Sequence, residues 1–131
     1  MNIILSIDPG LAGGAALLQE DSGQLLKLFN FHKRRLDDKG GKSLPPIFLG
    51  ETKLEILSYI AQLSEFLEGG RAAISKFVME AVHSMPGQGV ASTFKFGYVT
   101  GQLAALADLL DIPVRSYVPP QSWKKHFNLI G

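Results

Sequence analysis

The sequence predicts an α/β protein: a mixed five-stranded sheet, built from a three-strand antiparallel meander plus two further strands, and flanked by helices. Three observations predict it. Short apolar runs separated by turn residues crowd the first 31 positions. Two later stretches carry helical periodicity. Each of these is followed by another short apolar run, the order that yields a mixed sheet with helices on its faces.

Taken in order, Asn2 to Ile7 reads as a buried strand, stopped by Asp8-Pro9-Gly10. Gly13 to Leu18 is a second strand, Asp21-Ser22-Gly23 a hairpin-type loop, and Gln24 to Phe31 an alternating third strand. Residues 33–50 break the pattern with five Lys/Arg, two Asp, Gly40-Gly41 and Pro45-Pro46, and read as an exposed basic loop. Glu51 to Glu68 is helical, with Leu54, Leu57, Ile60, Ala61, Leu63, Phe66 and Leu67 near a 3.6 repeat and Gly69-Gly70 closing it. Ile74 to Val82 is a strand interrupted by Glu80, and Ser84 to Gly89 a loop. Val90 to Leu110 is a long helix whose Gly97 and Gly101, four apart on one face, suggest a close backbone approach in the core or across a dimer. Phe94, Phe96 and Tyr98 on the same helix read as core or dimer contacts. Ile112 to Val118 is the last strand, and Pro119-Pro120-Gln121-Ser122 opens a final helix.

The 131 residues suit one domain, 1–131, and 46% hydrophobic with 19% charged residues is globular composition. The absence of cysteine excludes a disulfide framework, a thiolate zinc site and a cysteine nucleophile, and fits a reducing compartment. Thirteen Lys+Arg against twelve Asp+Glu leave a formal charge of +1, so bulk charge argues for neither nucleic acid nor membrane. No apolar run approaches the ~18 residues of a membrane span. The start has no basic region ahead of its apolar run and meets an acid at Asp8. It does not read as a signal peptide, and a cytoplasmic location without membrane contact is the expectation.

Two carboxylates sit oddly for such a chain. Asp8 follows directly on a six-residue apolar strand, and Glu80 sits inside another, after Lys76-Phe77-Val78-Met79. A carboxylate in low dielectric is costly unless it is paired or holds a metal. Asp-Pro-Gly is also ordinary turn sequence, and a strand-end Glu can simply face solvent. As a pair ending two apolar strands, however, they favour a site. Two hard oxygen ligands suit Mg²⁺, or Mn²⁺. His32, His83 and His126 are scattered and form no zinc spacing.

Ile4-Leu5-Ser6-Ile7-Asp8-Pro9-Gly10, with Gly13 or Gly14 and an apolar strand after it, resembles the opening of RuvC-type Holliday junction resolvases. Phe77-Val78-Met79-Glu80 resembles their second acidic strand. Met85 to Gly89, through Phe94, Gly97 and Gly101, to Leu110-Asp111-Ile112-Pro113-Val114 is similar to the phage and bacterial branch of the family. Pro120-Gln121-Ser122-Trp123-Lys124-Lys125 looks like the segment that brings a basic residue to the active site. The resemblance covers nearly the whole chain in order, apart from residues 33–50.

It implies an RNase H-like fold, a homodimer, and metal-dependent hydrolysis of four-way junction DNA in recombination and repair. It would make Asp8 and Glu80 metal ligands and Lys124 the basic residue facing the scissile phosphate, with Lys125 as the alternative. His83 holds the place of an aromatic that stacks on junction bases in the family, and histidine can stack on bases. Lys33, Arg34 and Arg35 form one basic cluster, and Lys124 with Lys125 another; each could neutralise phosphates, or keep a loop or helix face in water. The family completes its site with further acids on a C-terminal helix. Here Asp108 and Asp111 are the only acids after Glu80 and read as a solvated helix end, so the domain is expected to lack that helix. Two alternatives stay open. One is a non-catalytic junction-binding module. The other is an actin-like ATPase fragment using Gly10, Gly13 and Gly14 against phosphate.

Overall fold

The computed structural model describes residues 1–9, 13–31, 54–59, 61–62, 73–82 and 86–129. Residues 33–50 and His83 lie outside them, so the expected basic loop does too. The strands are β1 (Asn2–Asp8), β2 (Gly14–Gln19), β3 (Leu25–Asn30), β4 (Ala73–Glu80) and β5 (Val114–Val118). The helices are α1 (described at 54–59 and 61–62), α2 (Val90–Leu109) and α3 (Pro120–His126). The five strands form one sheet in the order β3-β2-β1-β4-β5. β1, β2 and β3 pair antiparallel, while β4 joins β1 and β5 joins β4 in parallel. The mixed sheet is therefore as the sequence predicts, with strand ends shifted by one or two residues.

One face of the sheet carries the core. Ile3, Leu5 and Ile7 alternate inward on β1, Ala15 and Leu17 on β2, Phe29 on β3, and Phe77 and Met79 on β4. Against them α2 buries Val99, Leu103, Leu106 and Ala107, at helical spacing. On the opposite face run Ile4 and Ser6, Ala16 and Leu18, Val78, Ser116 and Val118, all half-buried, with Leu28 and Val114 exposed.

The alternation on β4 skips a beat. Ile3 pairs with Ile74, but Ile4 pairs with Lys76, which leaves Ser75 as a bulge. The Ser75 hydroxyl donates to Glu20 Oε2 at 2.7 Å and lies 3.2 Å from the Ile3 carbonyl oxygen. Ile74 can therefore face the core together with Phe77 and Met79, although strict period two would send Glu80 inward with Ile74.

One sequence expectation needs correction, and two are narrowed. Leu54 on α1 is exposed, while Ile56 is fully buried and Tyr59 half-buried. The Tyr59 ring meets Phe29 edge-on at 6.1 Å, and its hydroxyl donates to the Leu26 carbonyl at 3.2 Å. The stretch offers two overlapping apolar stripes, and contact with β3 selects the one holding Ile56 and Tyr59. Among the described residues Gly97 and Gly101 make no close approach, since a Cβ at either would meet nothing within 4 Å, which leaves the alternative of a contact across a dimer. Phe94 and Tyr98 are likewise exposed and not core residues, because the buried stripe of α2 runs through Val99 and Leu103. No helix among the described residues is long and apolar enough to cross a membrane.

Candidate active site at the strand ends

β1 and β4 are neighbours running in parallel, and their ladder reaches Ile7 opposite Met79. Asp8 and Glu80 are the next residue on each strand. Ile7 and Met79 face the core, so both carboxylates project from the opposite face, at the same level. Adjacent strands lie about 4.8 Å apart, which is within reach of one shared cation for two carboxylates. The row continues sideways: Asp8 pairs with Gly14, Gly14 with Asn30, and Glu80 with Val118. Gly14 keeps that row open, since a Cβ there would lie 2.6 Å from the Phe29 carbonyl oxygen.

Clefts open on both sides of the pair. One of about 350 Å³ is lined by Ser6, Asp8, Gly14, Ala16, Leu28 and Asn30. Another of about 440 Å³ is lined by Glu80, Val82, Pro86, Gln88, Phe96 and Pro120. Gly13 and Gly14 are tied into the sheet: the Gly13 carbonyl accepts from Phe31 N–H at 3.0 Å, and Gly14 sits in the β2 ladder. Gly10, the third glycine of the phosphate-loop alternative, lies outside the described residues.

Helix α3 brings in the basic side chains. Pro120 is its first residue, where the missing N–H costs nothing. It ends in a Schellman motif: Asn128 adopts φ +57°, with Asn128 N–H bonded to the Lys125 carbonyl and Leu129 N–H to the Lys124 carbonyl. Trp123 Nε1–H donates to Glu80 Oε2 at 2.8 Å. Lys124 Nζ stands 5.6 Å from the centroid of the Trp123 ring, in cation–π geometry. Glu80 is thus half-buried and hydrogen-bonded, not a strand end turned to water. Phe127 is exposed and α3 buries no residue fully, so the helix is not simply an amphipathic element with snorkelling lysines.

Of the residues singled out in the sequence, the structure brings Asp8, Glu80 and Lys124 to one end of the sheet. Lys125 is on α3 and exposed. Lys33, Arg34, Arg35 and His83 lie outside the described residues. Asp108 pairs with Arg115, which also donates to the Ala107 and Ile112 carbonyls and so ties the end of α2 to β5. It stands in the sheet's core-side layer and supplies no third carboxylate. Among the described residues no group of three or more His, Cys, Asp or Glu could hold a metal. Sequence reasoning missed the bond from Trp123 to Glu80. Its signal was a lone tryptophan beside two lysines, and which way it points depends on the docking of α3.

No protein-family model and no curated protein matches the sequence. Solved structures do. T. thermophilus RuvC in complex with a Holliday junction substrate superimposes with a TM-score of 0.62 at 14% identity, over 95% of this chain and 69% of that one. A second Thermus thermophilus RuvC structure gives a TM-score of 0.51 at 20% identity, over 94% of this chain and 67% of that one. At such identities the likeness is one of architecture, and it agrees with the strand order and flanking helices described above. The chain has the RuvC-like form of the RNase H-like fold.

Proposed function

We propose that this protein is a crossover junction endodeoxyribonuclease, hydrolysing phosphodiester bonds at four-way DNA junctions with a divalent cation, Mg²⁺ or alternatively Mn²⁺. The observation that carries the reading is the position of Asp8 and Glu80, each one residue past the paired Ile7 and Met79 at the ends of adjacent parallel strands. The donor set fits: two hard carboxylates without a soft ligand suit an ion that keeps most of its waters. Bound there, such an ion supplies an activated water and charge relief on the leaving oxygen. Asp8 and Glu80 hold it. Lys124 offsets charge on the scissile phosphate, with Lys125 as the alternative, and no side-chain nucleophile is needed. Lys33, Arg34, Arg35 and Lys125 neutralise flanking phosphates, and His83 stacks on a junction base. The solved relative that carries a Holliday junction supports DNA of that shape as the partner.

A homodimer belongs to this reading. The outer face of α2 supports it, where Val90 is 89% and Phe94 71% exposed beside the open Gly97 and Gly101. An apolar stripe with glycines suits a second helix at short range.

The test is nicking of a four-way junction in Mg²⁺. Asp8→Asn and Glu80→Gln are each expected to reduce cleavage by more than about 100-fold while junction binding changes little. Undiminished cleavage by either variant removes that residue from the mechanism. A second reading, a junction-binding module without catalysis, draws on the two-carboxylate site, since no third acid joins it among the described residues. It requires Mg²⁺-independent binding and no nicking by the unaltered protein.

A further inference from the structure

Trp123 is the chain's one tryptophan, and it makes the one side-chain hydrogen bond that Glu80 has among the described residues. Indole is a donor only, and it carries no charge. It can therefore hold a carboxylate oxygen without neutralising the carboxylate, which a lysine in its place would do. The bond engages Oε2 and leaves carboxylate lone pairs for a cation. The same indole also seats a charge: Lys124 Nζ lies 5.6 Å from the ring centroid, so one rigid side chain fixes the carboxylate through its edge and the ammonium through its face. Trp123 and Lys124 are adjacent on α3, and α3 is set by Pro120 at its start and the Schellman motif at its end. The position of the indole is therefore a property of a capped helix and not of a loose tail.

We propose that Trp123 is a positioning residue, which orients Glu80 toward the cation through its N–H and stations Lys124 beside the same site. The proposal rests on Glu80 being a cation ligand. Partners that orient a ligand from behind commonly matter about 10–100-fold in metal affinity.

The lone tryptophan also makes the test direct, because its emission reports from the ligand itself. Mg²⁺ titrated into the unaltered protein is expected to change the indole emission saturably. In Glu80→Ala the emission shifts to the red as the N–H is released to water, and the Mg²⁺ response disappears. Trp123→Phe keeps a ring and removes the donor. It is expected to raise the Mg²⁺ dissociation constant, measured by calorimetry, about tenfold, and the Mg²⁺ concentration for half-maximal nicking by a like factor. Saturating Mg²⁺ then restores most of the rate, and Trp123→His, which regains an N–H, restores part of the affinity. A far-ultraviolet circular dichroism melt checks that Trp123→Phe is folded, and Glu80→Ala carries the test through emission if it is not. An unaltered Mg²⁺ affinity in folded Trp123→Phe, or an emission blind to Mg²⁺ in a protein whose nicking depends on Glu80, overturns the proposal and leaves the nuclease reading intact. A protein that binds Mg²⁺ in a Trp123-dependent way but never nicks overturns the nuclease reading and upholds this one.

Discussion

Gly14 shows how much a missing side chain can decide. It sits between Asp8 and Asn30 in the strand-end row, and a Cβ would meet the backbone oxygen of Phe29 at 2.6 Å. A backbone atom in a ladder cannot swing aside as a side-chain tip can. Gly14→Ala is therefore expected to cost roughly 1–3 kcal/mol in denaturant unfolding, as overpacking does. It should also lower nicking beyond that loss, because the strand that must move pairs with Asp8. Lys124 is a residue of another kind, a charge offered to a substrate. Lys124→Ala is expected to lower the maximal nicking rate by about 10²–10³-fold with junction affinity nearly unchanged. A loss confined to affinity would assign Lys124 to DNA binding alone.

At the scale of elements, two devices place the site. The first is the bulge at Ser75. It changes the phase of β4 midway, so Phe77 and Met79 enter the core and Glu80 turns outward to the level of Asp8. The second is the ending of each later helix in a left-handed residue that is not glycine, Asp111 after α2 and Asn128 after α3. The bonds from Asp111 N–H to Asp108 and from Ile112 N–H to Ala107 complete a Schellman motif on α2. That conformation strains an L residue, so Asp111→Gly is expected to raise stability by up to about 1 kcal/mol, read from the midpoint of chemical unfolding with an unchanged slope. A loss of stability would show that the Asp111 side chain has a part beyond the turn.

For the molecule as a whole, the question is what meets the apolar surface of α2. Val90, Phe94 and Tyr98 are exposed along one side of it, and the Phe94 and Tyr98 rings lie 6.2 Å apart. If this stripe joins two copies, Phe94→Glu is expected to weaken self-association at least about tenfold, seen by analytical ultracentrifugation, without lowering the melting temperature of the monomer. Unchanged association would move the dimer contact elsewhere.

Much of this was legible in the chain itself. The strands and long helices follow from runs of residues such as Ile3, Leu5 and Ile7 or Val99, Leu103 and Leu106, whose periodicity reflects burial on one side. Asp8 and Glu80 stood out because each ends or interrupts an apolar run. The face of α1 was not legible, because Leu54 and Ile56 are equally apolar and only contact with β3 tells them apart. The same holds for Gly97 and Gly101, whose spacing is compatible with a core contact that α2 does not make among the described residues.

Local patterning therefore determined the elements, the mixed sheet and two suspicious acids, since hydrophobic period and turn chemistry act within a few residues. The tertiary structure alone decided that β4 lies beside β1, that a one-residue bulge turns Glu80 to the side of Asp8, and that the Trp123 indole reaches Glu80 from 43 residues away. Those relations depend on register and on helix docking. Both are set by how whole faces pack together, a property that no short stretch of sequence contains.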